Sequence, residues 1–188
     1  MHSFFAADRG LLAIVSLALA LCANPAAADW RAELPQARLV GEAEFRWYGF
    51  DLYQARLWSA APTPSLDTPF ALELVYRRTI PRHALVETSL EEIQRVSATP
   101  LGAQRLDAWA AHMRRAFVDV KPGTRITGLN VPGKGARFYV DGRQSHEVND
   151  PLFARHFFAI WLDPRTREPE MRQRLLGLDP TRNKSSTP

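Results

Sequence analysis

From Leu39 onward, apolar or small residues alternate with polar ones. Leu39, Gly41, Ala43, Phe45 and Trp47 take the odd positions, and Glu42, Glu44 and Arg46 the even ones. Period two over that length predicts a strand with one buried face. Gly49 breaks the pattern, which resumes as Tyr53, Ala55 and Leu57 against Gln54 and Arg56, so residues 40–58 read as an antiparallel hairpin. A proline-rich loop over 59–69 leads to a third strand carrying Phe70, Leu72, Leu74 and Tyr76. After Pro81 the period lengthens. Val86, Leu90, Ile93 and Ser97 fall at helical spacing, predicting a helix over 82–96. Thr99-Pro100 reads as a cap followed by a first-turn proline, opening a helix over 100–117 with the stripe Leu106, Trp109, Ala110, Met113 and Phe117.

Three short strands follow, near 124–131, 136–140 and 143–148, joined by turns at Pro132–Gly135 and at Asp141-Gly142. Asp150-Pro151 repeats the cap-then-proline start of a helix over 151–162, whose stripe holds Phe153, Phe157, Ile160 and Trp161. A last helix over 168–176 ends at Gly177, where a left-handed cap is easy. Residues 29–38 read as a polar lead-in and 179–188 as a disordered tail. The segregated order of strands and helices argues an α+β fold, one mainly antiparallel sheet with a layer of helices on one face. No internal repeat or second domain is evident, so 29–178 reads as one domain.

The first residues change the compartment. Residues 11–21, LLAIVSLALAL, follow Arg9 and precede a small-x-small site at Ala26 and Ala28. That is the layout of a secretory signal peptide over 1–28, too short to span a bilayer. Lipidation at Cys22 is disfavoured because Leu21 stands where a small residue is wanted. Cys22 is also the chain's sole cysteine, so residues 29–188 hold together without disulfides and without thiol chemistry. An exported, cysteine-free chain fits the periplasm, with no stable membrane insertion after cleavage.

Net charge is +4, and only three of the 24 basic residues are lysine. No run of five like charges occurs, and nucleic acid is not an expected partner outside the cytoplasm. His146, Glu147, Asp150 and His156 do not form an H-E-x-x-H pair on one helix face, and Asp150 is needed as a cap, so no metal or other cofactor is expected. No Gly-x-Ser-x-Gly elbow, phosphate-binding loop or dinucleotide fingerprint is present.

Arg46 is the sharper candidate. Set among Phe45, Trp47 and Tyr48, its guanidinium could hold a carboxylate or an enolate through a bidentate charge-assisted bond, with Tyr53 adding a hydroxyl donor. The same parity that groups Arg46 with Glu42 and Glu44 also fits a surface arginine in weak ion pairs.

The ordered set G41-E-A-E-F-R46, G-F-D-L-Y53-x-A-x-L-W58, I80-P81, D119-V-K-P-G123 and N149-D-P-L-F153 through W161 to G177 resembles the bacterial chalcone-isomerase-like domain. The resemblance covers roughly residues 37–178, and it extends to plant chalcone isomerases and their fatty-acid-binding homologues. It implies an open-faced β-sandwich with a ligand cleft between sheet and helices. It also implies an arginine at the place of Arg46, steadying an enolate in the enzymes and clamping a carboxylate in the fatty-acid binders. Tyr53 stands where the enzymes carry a catalytic threonine. The helix RHALVETSLEEIQR lacks the tyrosine, lysine and asparagine that the enzymes bring to the cleft.

These features favour a non-catalytic protein binding a small amphiphilic, fatty-acid-like acid. The ligand would sit against Arg46 and Tyr53, with apolar walls including Trp109, Met113, Phe117, Phe153 and Phe157. The alternatives are an isomerase stabilising an enolate at Arg46, with Tyr53 or His83 as the acid–base group, and an accessory envelope protein with no small ligand. The sequence does not speak to oligomeric state.

Overall fold

A computed structural model describes residues 29–178. The leader expected over 1–28 and the disordered tail expected over 179–188 lie outside the described residues. The period-two stretches pair into one six-stranded antiparallel sheet in chain order: β1 (Arg38–Trp47), β2 (Phe50–Ser59), β3 (Phe70–Tyr76), β4 (Arg125–Val131), β5 (Gly135–Val140) and β6 (Arg143–Val148). Register keeps the parity seen in the sequence: Tyr53 faces Tyr76, Ala55 faces Leu74, and Leu57 faces Leu72. The β1–β2 turn is made by Tyr48 and Gly49, with φ of 47° and 80°, and the β5–β6 turn by Asp141 and Gly142, with φ of 48° and 84°. Two left-handed residues in succession match the twist of a tight hairpin.

The helices are α1 (Trp30–Glu33), α2 (Arg82–Val96), α3 (Ala103–Ala116), α4 (Pro151–Leu162) and α5 (Pro169–Leu175). α2 and α4 run as the spacing predicts. Asp150 caps α4 by accepting from the amides of Leu152 and Phe153, and Pro151 fills its first turn. α3 departs from expectation. It starts at Ala103 behind Gly102 rather than after Thr99-Pro100, and makes no side-chain cap bond. The start of α2 lacks a local cap as well, and the amide of Arg82 donates instead to Asp119, 2.7 Å away.

α1 corrects the reading of 29–38 as a polar lead-in. Asp29 caps this single turn, and Trp30 is 2% exposed. Trp30 packs on the sheet face away from the other helices, with Ala71, Leu129, Tyr139 and Trp58. Arg137 and Tyr139 on that face both reach Glu33. A single tryptophan carries no periodicity, so neither α1 nor this second small core was visible as a pattern.

The main core lies between the other sheet face and the helices. Phe153, Phe157 and Phe158 of α4 meet Phe70, Phe117 and Phe138. α4 crosses β4 and β5, α3 covers β6, and α5 lies along β1. A β-carbon at Gly41 would sit 1.9 Å from the carbonyl oxygen of Arg174, so the absence of a side chain there lets α5 reach the strand. α2 is different: it packs mainly on α3 and α4 rather than on the sheet.

Candidate functional site

Because α2 rests on other helices, a space remains between it and the inner face of β1–β3. This is a cavity of about 380 Å³. Its floor is Phe45, Trp47, Leu52, Tyr53, Leu74 and Tyr76, all from the first three strands. Its roof is one face of α2 from Ala84 to Glu92, and its end wall is Phe117, Phe157, Ile160 and Trp161. Thr166, Arg167, Glu168 and Met171, from the α4–α5 connection and α5, close the remaining side.

The floor is a run of touching aromatics. Phe45 stacks on Tyr53 with centroids 5.0 Å apart, and Tyr53 meets Tyr76 edge-on at 5.8 Å. Trp161 donates its indole N–H to the Tyr53 hydroxyl oxygen at 3.1 Å, which leaves the Tyr53 O–H proton free to donate elsewhere. Burial pushes both tyrosine hydroxyls well above the usual phenol range, so both are neutral donors at any physiological pH.

Charge enters at one side. Arg167 is the single basic residue in the lining, and its guanidinium lies 6.0 Å over the Trp47 ring. It pairs with Glu92 at 2.7 Å. Glu92 also holds Arg95 at 2.7 Å, and Arg95 in turn donates to the carbonyl of Arg165. Glu92 is therefore shared between two arginines, and it keeps a partner if Arg167 turns elsewhere.

The expected site residues divide. Tyr53 and Phe157 line the cavity together, as do Phe117 and the neighbouring aromatics. Arg46 does not. It sits between Phe45 and Trp47, which both line the cavity, so strand alternation points it to the opposite face. There its side chain is 69% exposed and pairs with Asp51 at 2.5 Å.

Trp109 and Met113 are corrected in the other direction: both are buried completely, but in the core under α3 and outside the cavity lining. Trp109 donates to Asp150 at 2.9 Å and packs against Phe153 and His156. α3 lies over β6, at the far end of the sheet from the space under α2, which explains their placement. Phe153 likewise belongs to that core. His83 is exposed and outside the lining.

The four residues considered for a metal also separate, since Asp150 caps α4 and His146 pairs with His112 at 3.0 Å. Among the described residues, no group of three or more His, Cys, Asp or Glu comes together in a metal-sized cluster. Sequence reasoning missed Tyr76 as a lining residue and missed Arg167 entirely. Alternation on β3 places Tyr76 on the same face as Leu72 and Leu74, a usable signal. Arg167 stands in a loop, where no period assigns a direction.

Among the described residues, no helix is long and apolar enough to cross a membrane. A family model described as chalcone isomerase-like matches residues 43–177. No curated protein matches the chain in sequence. Among solved structures, a fatty-acid binding protein of Arabidopsis thaliana shares the fold, with a TM-score of 0.58 at 13% identity over 76% of this chain and 87% of that one. At that identity the likeness speaks for the fold, an antiparallel sheet with a helical layer.

Proposed function

Because the chain belongs to the chalcone isomerase-like family, we propose that it binds a small amphiphilic acid of the fatty-acid kind in the space under α2, without catalysis. The observation that carries this reading is the cavity itself: about 380 Å³, floored and end-walled by aromatic and aliphatic side chains, with the charged groups Glu91, Glu92, Arg167 and Glu168 confined to α2 and the α4–α5 connection. That size and composition suit a small-molecule site, for which roughly 300–1,000 Å³ is usual. The fatty-acid binding protein sharing the fold lends the ligand class its support.

The acidic head belongs at Arg167 rather than at Arg46. A carboxylate enclosed with neutral donors alone is costly, and Arg167 is the one cation in the lining. In its pair with Glu92, Arg167 is half-exposed and free to turn while Glu92 is largely buried, and Arg95 keeps Glu92 partnered after the exchange. The apolar body then lies over Phe45, Tyr53 and Tyr76, where the two hydroxyls can donate to an oxygen on the ligand. The leader pattern over 1–28 supports an encounter outside the cytoplasm, in the periplasm.

Titration with a fluorescent fatty-acid analogue tests the reading. Arg167→Ala is expected to weaken binding by about 10- to 100-fold, the worth of one charge-assisted bond. Arg46→Ala is expected to leave binding within about twofold, because an exposed ion pair contributes little. Loss of binding in Arg46→Ala with Arg167→Ala unaffected would reverse the assignment.

An isomerase remains the second reading, on the strength of two neutral tyrosines in the lining, rings 5.8 Å apart, whose hydroxyls could donate to an enolate oxygen. Turnover of a chalcone or related enone above the buffer rate, lost in Tyr53→Phe, would establish it.

A further inference from the structure

The described residues expose six large hydrophobic side chains, and three of them fall within four consecutive positions: Trp47 at 43%, Tyr48 at 87% and Phe50 at 58%. All three belong to the β1–β2 tip. Tyr48 is the informative one. Its φ of 47° lies in the left-handed region, where a tight turn prefers glycine or asparagine. A tyrosine there costs backbone strain, and its ring meets only the edge of Trp47, at 5.2 Å, without being buried. Folding therefore gains little from this aromatic tip, and such a contiguous exposed patch marks an interaction surface.

The surroundings choose the partner. Arg46, Arg77 and Arg78 stand at this end of the sheet, all exposed. Asp51 and Glu44 balance the first two, at 2.5 and 3.2 Å. Arg78 lies over the Phe50 ring at 4.9 Å and pairs with no carboxylate among the described residues. Tryptophan, tyrosine and arginine side chains, apolar in body and polar at the end, settle at the headgroup level of a bilayer. The tip also borders the cavity, since Trp47 and Leu52 line it and Arg167 lies over Trp47.

We propose that the β1–β2 tip docks on the surface of an anionic lipid bilayer. Trp47, Tyr48 and Phe50 enter the headgroup layer, and Arg78 meets lipid phosphate. Docking brings the cavity mouth to the lipid, so that a ligand passes between bilayer and cavity without crossing water. That second step rests on the proposed ligand binding, whereas docking stands on the hairpin alone.

Vesicles of phosphatidylglycerol and phosphatidylethanolamine containing brominated phospholipid test the docking with the full chain and no added ligand. Residues 1–28 and 179–188 hold no tryptophan, so quenching reports only on residues 29–178. Trp47 is the one exposed tryptophan among the described residues. Part of the emission is expected to be quenched, and Trp47→Phe to abolish that part. The double variant Tyr48→Ser/Phe50→Ser should need at least tenfold more lipid for half-quenching, with the melting temperature unchanged because both rings are exposed. Arg78→Gln should raise the lipid requirement and make binding less sensitive to salt.

Unquenched wild-type protein, or equal quenching of wild type and double variant, would overturn docking. So would a dimer in sedimentation that forms without lipid and falls apart in the double variant, since the tip would then join two copies. Fatty-acid titration without vesicles reads the cavity separately, so either result can fail alone.

Discussion

His112 and His146 share one hydrogen bond, 3.0 Å long, with rings stacked 5.3 Å apart, and that bond needs a lone pair on one of them. Burial holds the His146 imidazole below its ordinary pKa, with His112 and Arg115 adding to the effect and Glu147 opposing it. Burial does the same to His156, seconded by Arg105. A histidine depressed in the folded state takes up its proton more readily when unfolded. Both groups therefore leave stability intact above about pH 6.5 and withdraw it as pH falls through the folded values.

Asp150 follows at lower pH. Burial pushes its carboxyl up, but bonds from Trp109 and from the amides of Phe153 and Leu152 outweigh that and hold it low. Its contribution is complete above about pH 4 and is lost below, as the folded carboxylate is protonated. Denaturant titrations at several pH values should show two acid-side losses, and His146→Gln is expected to shrink the first while sparing the second. A single loss near pH 4 in the wild-type protein would contradict the role given to the histidines.

At the scale of elements, Asp150 joins two helices, α4 and α3. One carboxylate oxygen caps α4, and the other accepts from Trp109 of α3, which packs over β6. Asp150→Ala removes the cap, worth about 1 kcal/mol, and strands a buried indole N–H, worth about 1–3 kcal/mol more. The expected loss is therefore about 2–4 kcal/mol by chemical denaturation, and Asp150→Asn should recover part of it. Gly41 is the matching case of close approach. Gly41→Ala would force α5 off β1, and overpacking of that kind costs about 3 kcal/mol or more. Since α5 carries Met171 into the cavity wall, the same change is expected to weaken fatty-acid binding in the titration.

For the molecule as a whole, the cavity reflects unequal packing: α4 fills the space over β4 and β5 with aromatic rings, while α2 spans β1–β3 at a distance. Filling that gap should separate binding from stability. Ser89 lines the cavity from α2, with its hydroxyl donating to the helix carbonyl of Leu85. Ser89→Phe is expected to occupy the space, abolish binding of the fluorescent analogue and hold or raise the melting temperature. In the unmodified chain, saturating ligand should raise stability by about 2.7 kcal/mol at a hundredfold excess over Kd. Binding that survives Ser89→Phe undiminished would place the ligand elsewhere.

Period two, period 3.6 and the residue types of turns and caps were enough to place the strands along the chain, place α2 and α4, fix the Asp141-Gly142 turn and identify the Asp150 cap. These depend on neighbours within four residues along the chain. They also set Arg46 on one strand face with Glu42 and Glu44, opposite its neighbours Phe45 and Trp47. What they could not show was which face the helices would cover, because parity relates residues to each other and not to a roof that arrives from distant segments. Packing of α2 on α3 and α4 made that choice, opening the cavity over Tyr53 and leaving Arg46 in solvent beside Asp51. Arg167 reached the same cavity from a loop that has no period, and Trp30 closed the opposite face from a segment too short to show one. Local pattern therefore determined the elements, and long-range burial decided which of their faces became a site.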